Sequence, residues 1–402
     1  MKILQINSTL NWGSTGRIAE EIGQKLIAEG NESYIAYGRQ ANPSQSKIIR
    51  IGNKWDIYYH VLQTRLFDKH GLASKKATLK LVEKIRDINP DIIHLHNIHG
   101  YYLNYQILFE YLSSSHIPIV WTLHDCWTFT GHCSHYSYKS CFRWRKNCYS
   151  CPQIMTYPQS WGVDCSESNY KKKSYLFNSV GKLTLVAVSN WLSKEIENSF
   201  LKKIPQKTIY NGIDVETFKP SPITKMDLKL ENKFTILGVA SVWNDRKGLE
   251  DFISLRDKLS DDYRIVLVGL SDNQIKKLPN GIMGISRTNS IQELVSYYSV
   301  ADVYINFSVE ESLGLTTCEA MACGTPAIVY NCTACPEVVS SDTGFIVNQK
   351  DFEGVVAAIN MVREKGKETY TQSCRERAVQ YFNKEDRYAE YLQLYKEILN
   401  KK

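Results

Sequence analysis

Two runs of short apolar segments, each alternating with helical patterns, flank one polar, proline-bearing stretch. The first run holds "KILQIN", "SYIAYG", "PDIIHLHN", "IVWTLHD", "LTLVAVS" and the shorter "KTIYNGID". The second holds "FTILGVAS", "YRIVLVG", "DVYINFS", "TPAIVYN" and "GFIV". Helical patterns such as "IAEEIGQKLIAEG", "NYQILFEYLSSSHIP" and "SIQELVSYYSVA" separate them. Apolar strands spaced by helices indicate a parallel sheet covered on both faces. A chain of 402 residues exceeds one ordinary core. The expected fold class is therefore α/β, with two Rossmann-like doubly wound domains at residues 1–218 and 219–382. The polar segment "FKPSPITKMDLKLENK" (residues 218–233) marks the linker. Residues 383–402 read as an amphipathic helix expected to pack back toward the first domain.

Two stretches break the rhythm. Residues 54–87 are basic and helical, with apolar residues at mixed helical spacing. Residues 126–170 mix cysteine, aromatic and basic residues without a period and read as an insert. A hydrophobic content of 43% and a charged content of 23% suit a soluble globular protein. No apolar run approaches the roughly 18 residues of a membrane span. The start turns polar at Gln5, unlike a signal peptide, so the expected location is the cytoplasm. Residues 1–215 carry 26 Lys+Arg against 16 Asp+Glu, and the remainder 23 against 26. A basic first half points to nucleic acid, a membrane surface or a phosphorylated substrate, or simply to a solvated face. Neither a GxxxxGK[ST] phosphate loop nor an intact GxGxxG is present.

In open α/β sheets, ligands bind beyond the carboxyl ends of strands. Three loops there carry chemistry. The loop after the first strand holds Gly13, Gly16 and Arg17, a weak phosphate signal that an ordinary turn explains better. "WNDRKG" places Arg246 and Lys247 at a strand end before a helix, which suits a diphosphate or a surface basic pair. "EESLGLTTCEA" places Glu311 in a crevice loop and Glu319 in the first turn or two of the next helix. Glu319 can serve the helix dipole or accept hydrogen bonds from ligand hydroxyls. "HLHNIH" puts His94 and His96 on one strand face, with Asn97 and His99 at the crevice, where an acceptor contact fits better than a metal.

"EESLGLTTCEAMACGTPAIV" resembles the E-x7-E signature of family 4 retaining glycosyltransferases, which have the GT-B fold, two such domains facing across a cleft. Other pieces resemble that family in order and spacing: "VAVSNWL", "IYNGIDVETFKP", "RKGL", "SVADVYINFS", "TGFIV", and "TLHD" with its histidine after a strand. The resemblance covers nearly the whole chain and implies roles. Glu319 would bind the donor ribose and Glu311 the sugar hydroxyls. The amides of Gly314, Leu315 and Thr316 would meet sugar and phosphates. Lys247 would neutralise the diphosphate, with Gly16 near it, and His124 would contact the transferred sugar near its anomeric centre. His124, Glu311 and Lys247 are thus the expected catalytic set. The family's usual arginine five residues before the lysine is Val242 here, so Arg246 or Arg287 is the candidate substitute. The expected chemistry is front-face substitution in which the leaving phosphate helps deprotonate the acceptor, with no catalytic metal. UDP is the default donor nucleotide, with GDP open.

The insert carries Cys133, Cys141, Cys148 and Cys151, spaced C-x7-C-x6-C-x2-C. An irregular loop of this kind is expected to bury little core. The spacing suits a structural zinc staple, or four reduced cysteines packed in a loop. A subset of bacterial family 4 enzymes resembles this chain in carrying a similar insert. The leading expectation is a hexosyltransferase acting on a lipid-linked glycan in cell-surface polysaccharide synthesis. Its basic first domain, including "KKATLK" and Lys171–Lys173, would face an anionic membrane. The alternatives are a GT-B sugar-nucleotide epimerase or hydrolase, and a zinc-containing nucleic-acid-binding protein. The insert lies between two strands of one domain rather than as an independent finger, which speaks against a nucleic-acid partner.

Overall fold

The apolar segments of the first half form seven parallel strands: β1 (Lys2–Asn7), β2 (Glu32–Tyr37), β3 (Lys47–Arg50), β4 (Ile92–Leu95), β5 (Ile119–Leu123), β6 (Leu183–Ala187) and β7 (Gln206–Thr208). The computed structural model describes residues 1–228, 230 and 232–400. The strand order is β3-β2-β1-β4-β5-β6-β7. β1 pairs with β2 on one side and β4 on the other, so the chain reverses its winding there and leaves a crevice at their carboxyl ends. Helix α1 (Gly13–Ala28) follows β1; α2 (Lys54–Phe67) and α3 (Lys75–Ile88) lie between β3 and β4.

The second half repeats the plan with six parallel strands: β8 (Phe234–Val239), β9 (Tyr263–Val268), β10 (Ile282–Ile285), β11 (Val303–Asn306), β12 (Ala327–Tyr330) and β13 (Gly344–Val347). Their order is β10-β9-β8-β11-β12-β13, with the reversal between β8 and β11. β3 and β10 are absent from the sequence reading. Both are four-residue edge strands. β3 is mostly exposed, with its two isoleucines between Lys47 and Arg50, and the short apolar run of β10 is interrupted by Gly284, so neither reads as a full strand.

The chain divides into Met1–Ile209 with Tyr388–Lys402, and Tyr210–Arg387. The first boundary falls ahead of the expected 218/219. Ile209 still bonds to the Ala187 carbonyl beside β6, whereas Ile213 bonds to Phe382 and joins the second core with Val215 and Phe218. Of the expected linker, Lys229 and Glu231 lie outside the described residues. The C-terminal helix (Lys384–Asn400) contributes Tyr388, Tyr391, Leu392 and Tyr395 to an apolar cluster with Ile3, Ile18, Ile22 and Leu26 of the first unit. Lys401 and Lys402 lie outside the described residues. Among the described residues, no helix is long and apolar enough to cross a membrane.

The insert contradicts one expectation. It buries Trp127, Phe129, Tyr136 and Trp144 almost completely, with the Trp144 ring 4.7 Å from Phe129 and 4.9 Å from Tyr136. The insert therefore extends the main apolar core of the first unit, in which these rings join Tyr105, Phe109 and Trp121.

Candidate functional site

In the second unit the loops after β8 and β11 converge at the crevice between those strands. The Arg246 guanidinium donates to the Glu310 carbonyl at 2.6 Å, and the Val309 N–H donates to the Arg246 carbonyl at 3.0 Å. Lys247 Nζ is ion-paired with Glu311. This approach requires Gly248. Its φ is +73°, and a Cβ there would stand 2.5 Å from Phe307 Cβ. Burial alone would raise the Glu311 pKa, but the charges of Lys247 and Arg246 outweigh it and hold the carboxyl below its ordinary value.

The helix Leu315–Ala322 opens beside this pair. Its cap is Gly314, at φ +99°, with no side-chain cap and no acid in the first turn. The helix start thus keeps its positive end uncompensated by its own residues. Glu319, one turn in, accepts from Tyr298 Oη at 2.8 Å, and Thr316 Oγ1 accepts from Tyr304 Oη at 2.8 Å. Thr333 fixes the Glu311 loop by accepting its N–H at 2.9 Å. The arrangement combines cations, a bare helix N-terminus and two anchored carboxylates, which suits a ligand with phosphates and hydroxyls.

In the first unit the histidines gather at the carboxyl ends of β4 and β5. Gln5 Nε2 donates to the Ala19 carbonyl at 2.8 Å, which turns Gln5 Oε1 toward His96 Nε2 at 3.0 Å. His96 must then carry its proton on Nε2. Its bare Nδ1 accepts from His124 Nε2 at 3.1 Å, which leaves His124 Nδ1 as a buried lone pair without a partner. Burial keeps both rings neutral, lowering His124 to about 4 and His96 well below its usual value. His99 bonds to Asp125 Oδ2 at 2.9 Å and to Tyr157 Oη at 3.1 Å. Burial would raise the Asp125 pKa, but His99 holds it down at about 2. Asn97 is partly exposed beside them, its N–H donating to Asn7 Oδ1 at 3.2 Å.

The predicted donor residues Lys247, Arg246, Glu311, Gly314, Leu315, Thr316 and Glu319 thus come together. Arg287 stands apart, exposed after β10, two strands from the crevice. Gly16 lies in α1 of the first unit, where a Cβ would meet Thr9 Oγ1 at 2.7 Å. Lys173 does not face outward as expected. It is buried, donating to the carbonyls of Trp127 at 2.6 Å and Thr130 at 3.1 Å, and burial lowers it to about 7. Cys133, Cys141, Cys148 and Cys151 line one small cavity, all reduced, with Cys133 hydrogen-bonded to Cys151. Among the described residues, no three His, Cys, Asp or Glu are arranged to hold a metal ion. Sequence reasoning missed Gln5, Asp125, Tyr298 and Thr333. Only Asp125 carried a local signal, as the last residue of "TLHD".

Residues 15–217 match the family described as Glycosyltransferase Family 4, and residues 233–364 the one described as Glycosyl transferases group 1. A putative colanic acid biosynthesis glycosyl transferase of Escherichia coli (strain K12) is 23% identical over 87% of this chain and 88% of its own. The sucrose-phosphate synthase structure from Thermosynechococcus elongatus has a TM-score of 0.73 at 17% identity, covering 100% of this chain and 99% of that one. The Anabaena HepE structure in complex with UDP has a TM-score of 0.69 at 15% identity, covering 99% and 100%.

Proposed function

The chain belongs to glycosyltransferase family 4 and has the two-domain GT-B fold, and from that premise we propose that it transfers a hexose from a nucleotide diphosphate sugar, with retention, to a glycan hydroxyl. The observation that carries this reading is the convergence of the Arg246–Lys247 loop and the Glu311 loop on the bare N-terminus at Gly314. In this reading Lys247, Arg246 and the amides of Gly314, Leu315 and Thr316 bind the diphosphate and stabilise its charge as it departs. Glu319 accepts ribose hydroxyls and Glu311 accepts sugar hydroxyls. His124, through its bare Nδ1, accepts a sugar hydroxyl hydrogen, and Asn97 and His99 contact the acceptor. The departing phosphate takes the acceptor proton. Glu311 is committed to Lys247, which suits a binding role better than that of a free nucleophile.

UDP is the proposed nucleotide, in line with the UDP complex of the Anabaena neighbour. The name of the Escherichia coli relative, a colanic acid biosynthesis glycosyl transferase, supports a place in polysaccharide synthesis. The proposed acceptor is a lipid-linked glycan reached at the inner face of a membrane, a reading that rests on the basic charge of residues 1–215. Zinc at the cysteine cluster has no part in this chemistry. Elemental analysis of protein purified without added metal measures any zinc content there.

A thermal-shift screen with UDP, GDP and ADP, then their sugars, tests the donor. UDP at 100 times its Kd should stabilise the protein by about 2.7 kcal/mol. Nuclear magnetic resonance of the product's anomeric proton tests retention. If none of the three nucleotides stabilises the chain, the reading fails.

A further inference from the structure

Helix α2 is turned inside out for a surface helix. Its buried face carries the polar His60 and Thr64. His60 bonds to Ser74 Oγ at 2.8 Å and accepts the Gly71 N–H at 2.9 Å. Its outward face carries Trp55, Tyr58, Tyr59, Leu62 and Leu66, spaced i, i+3, i+4, i+7 and i+11, which places them on one stripe. All five are exposed, from 39% for Leu66 to 79% for Trp55. Trp161 of the insert, also exposed, is tied to the same helix: its N–H donates to the Arg65 carbonyl at 2.6 Å, and the Arg65 guanidinium lies 5.9 Å from its ring.

Both ends of α2 are fixed. Asn53 and Asp56 form a capping box at its start. Asp68, past its end, bonds to His132 Nδ1 at 2.7 Å and to the Cys165 N–H at 2.8 Å. The stripe is therefore held outward on an anchored helix. Residues 54–80 hold six Lys+Arg and two acids, and those acids are the capping Asp56 and the buried Asp68. Lys54 and Lys69 are exposed at the two ends of α2, and Lys76 and Lys80 of α3 line a groove with Asp56 and Glu83. Aromatic side chains beside this excess of cations match the chemistry of an anionic bilayer surface, where tryptophan and tyrosine sit at headgroup level. A second copy of this chain on the same stripe would set these cations against their own kind.

We propose that α2 is the membrane-seating element of this protein: Trp55, Tyr58, Tyr59, Leu62 and Leu66 enter the interfacial zone of an anionic bilayer while the surrounding lysines and arginines meet lipid headgroups. Its purpose rests on the reading of a membrane-borne acceptor; its observation, the exposed stripe, does not.

Sedimentation with vesicles tests it, using phosphatidylcholine alone and phosphatidylcholine with about a third phosphatidylglycerol. The wild-type chain should partition onto the anionic vesicles at least about tenfold more strongly than onto the neutral ones, and raising the salt from about 0.1 M to about 1 M should weaken that binding. The exposed double variant Trp55→Ser/Leu62→Ser should lose about tenfold or more in partitioning. Two results overturn the proposal: no binding of the wild type to anionic vesicles, or equal binding of wild type and variant. A dimer that the double variant dissociates, with vesicle binding unchanged, assigns the stripe to a second copy and also overturns it. The thermal shift with UDP, measured on the same samples, reports the donor reading separately, so either can fail alone.

Discussion

Replacing Gln5 with leucine keeps nearly the same volume in a fully buried position and removes both polar ends of the relay that sets His124. The Ala19 carbonyl lies within α1, where a helical bond remains available to it, so losing the Gln5 donor costs about 1 kcal/mol. The His96 Nε2–H then faces hydrocarbon, and an unsatisfied buried donor costs about 1–3 kcal/mol. The expected loss in urea denaturation is therefore about 2–4 kcal/mol. His96 escapes this penalty only by moving its proton to Nδ1. That atom faces His124 Nε2 at 3.1 Å, so His124 must shift its own proton to Nδ1. Long-range 1H–15N spectra of the imidazoles at neutral pH report each tautomer. Wild-type His96 and His124 should both be protonated on Nε2. Gln5→Leu should either keep those tautomers with the full loss of about 2–4 kcal/mol, or convert His124 to the Nδ1–H form with a loss nearer about 1 kcal/mol. A wild-type His124 already protonated on Nδ1, or a variant with unchanged tautomers and a loss under about 0.5 kcal/mol, refutes the relay.

Gly248→Ala should destabilise the second unit by about 2–4 kcal/mol, from a left-handed backbone and a Cβ within 2.6 Å of the Phe307 carbonyl oxygen, and should weaken UDP binding in the same sample. Buried His60 and His94 are lowered to about 3 and His124 to about 4, so on acidification the unfolded chain binds protons first. Stability should fall between about pH 6.5 and 4, by up to about 1.4 kcal/mol per pH unit for each histidine; urea midpoints that stay level from pH 7 to pH 5 would contradict this. Asp125→Asn removes a charge-assisted bond to His99 and should cost about 1.5–3 kcal/mol at pH 7, read by the same denaturation.

The alternation of strands and helices was legible because each element carries its pattern within a few residues. The donor grip was legible for the same reason: Glu311, Gly314 and Glu319 share one strand–loop–helix turn. What stayed hidden depends on distant residues. Gln5 and His96 are 91 positions apart, and His99 and Asp125 are 26 apart. The insert's aromatic rings join the first unit's core from loops with no period to announce it. In α2 the apolar spacing showed a helix but not which face the fold would bury, and the fold buries the polar one. Lys173 looked like part of a basic surface run, yet its place in the helix Ser166–Asn178 turns it inward to two carbonyls.

Isothermal titration of UDP into the wild-type chain and into Glu319→Ala tests the donor site most directly. The wild type should bind. The variant, having lost the charged acceptor for the ribose hydroxyls, should bind about 10- to 150-fold more weakly while unfolding cooperatively as before. A folded Glu319→Ala protein with unchanged UDP affinity would contradict the assignment of this crevice to the donor nucleotide.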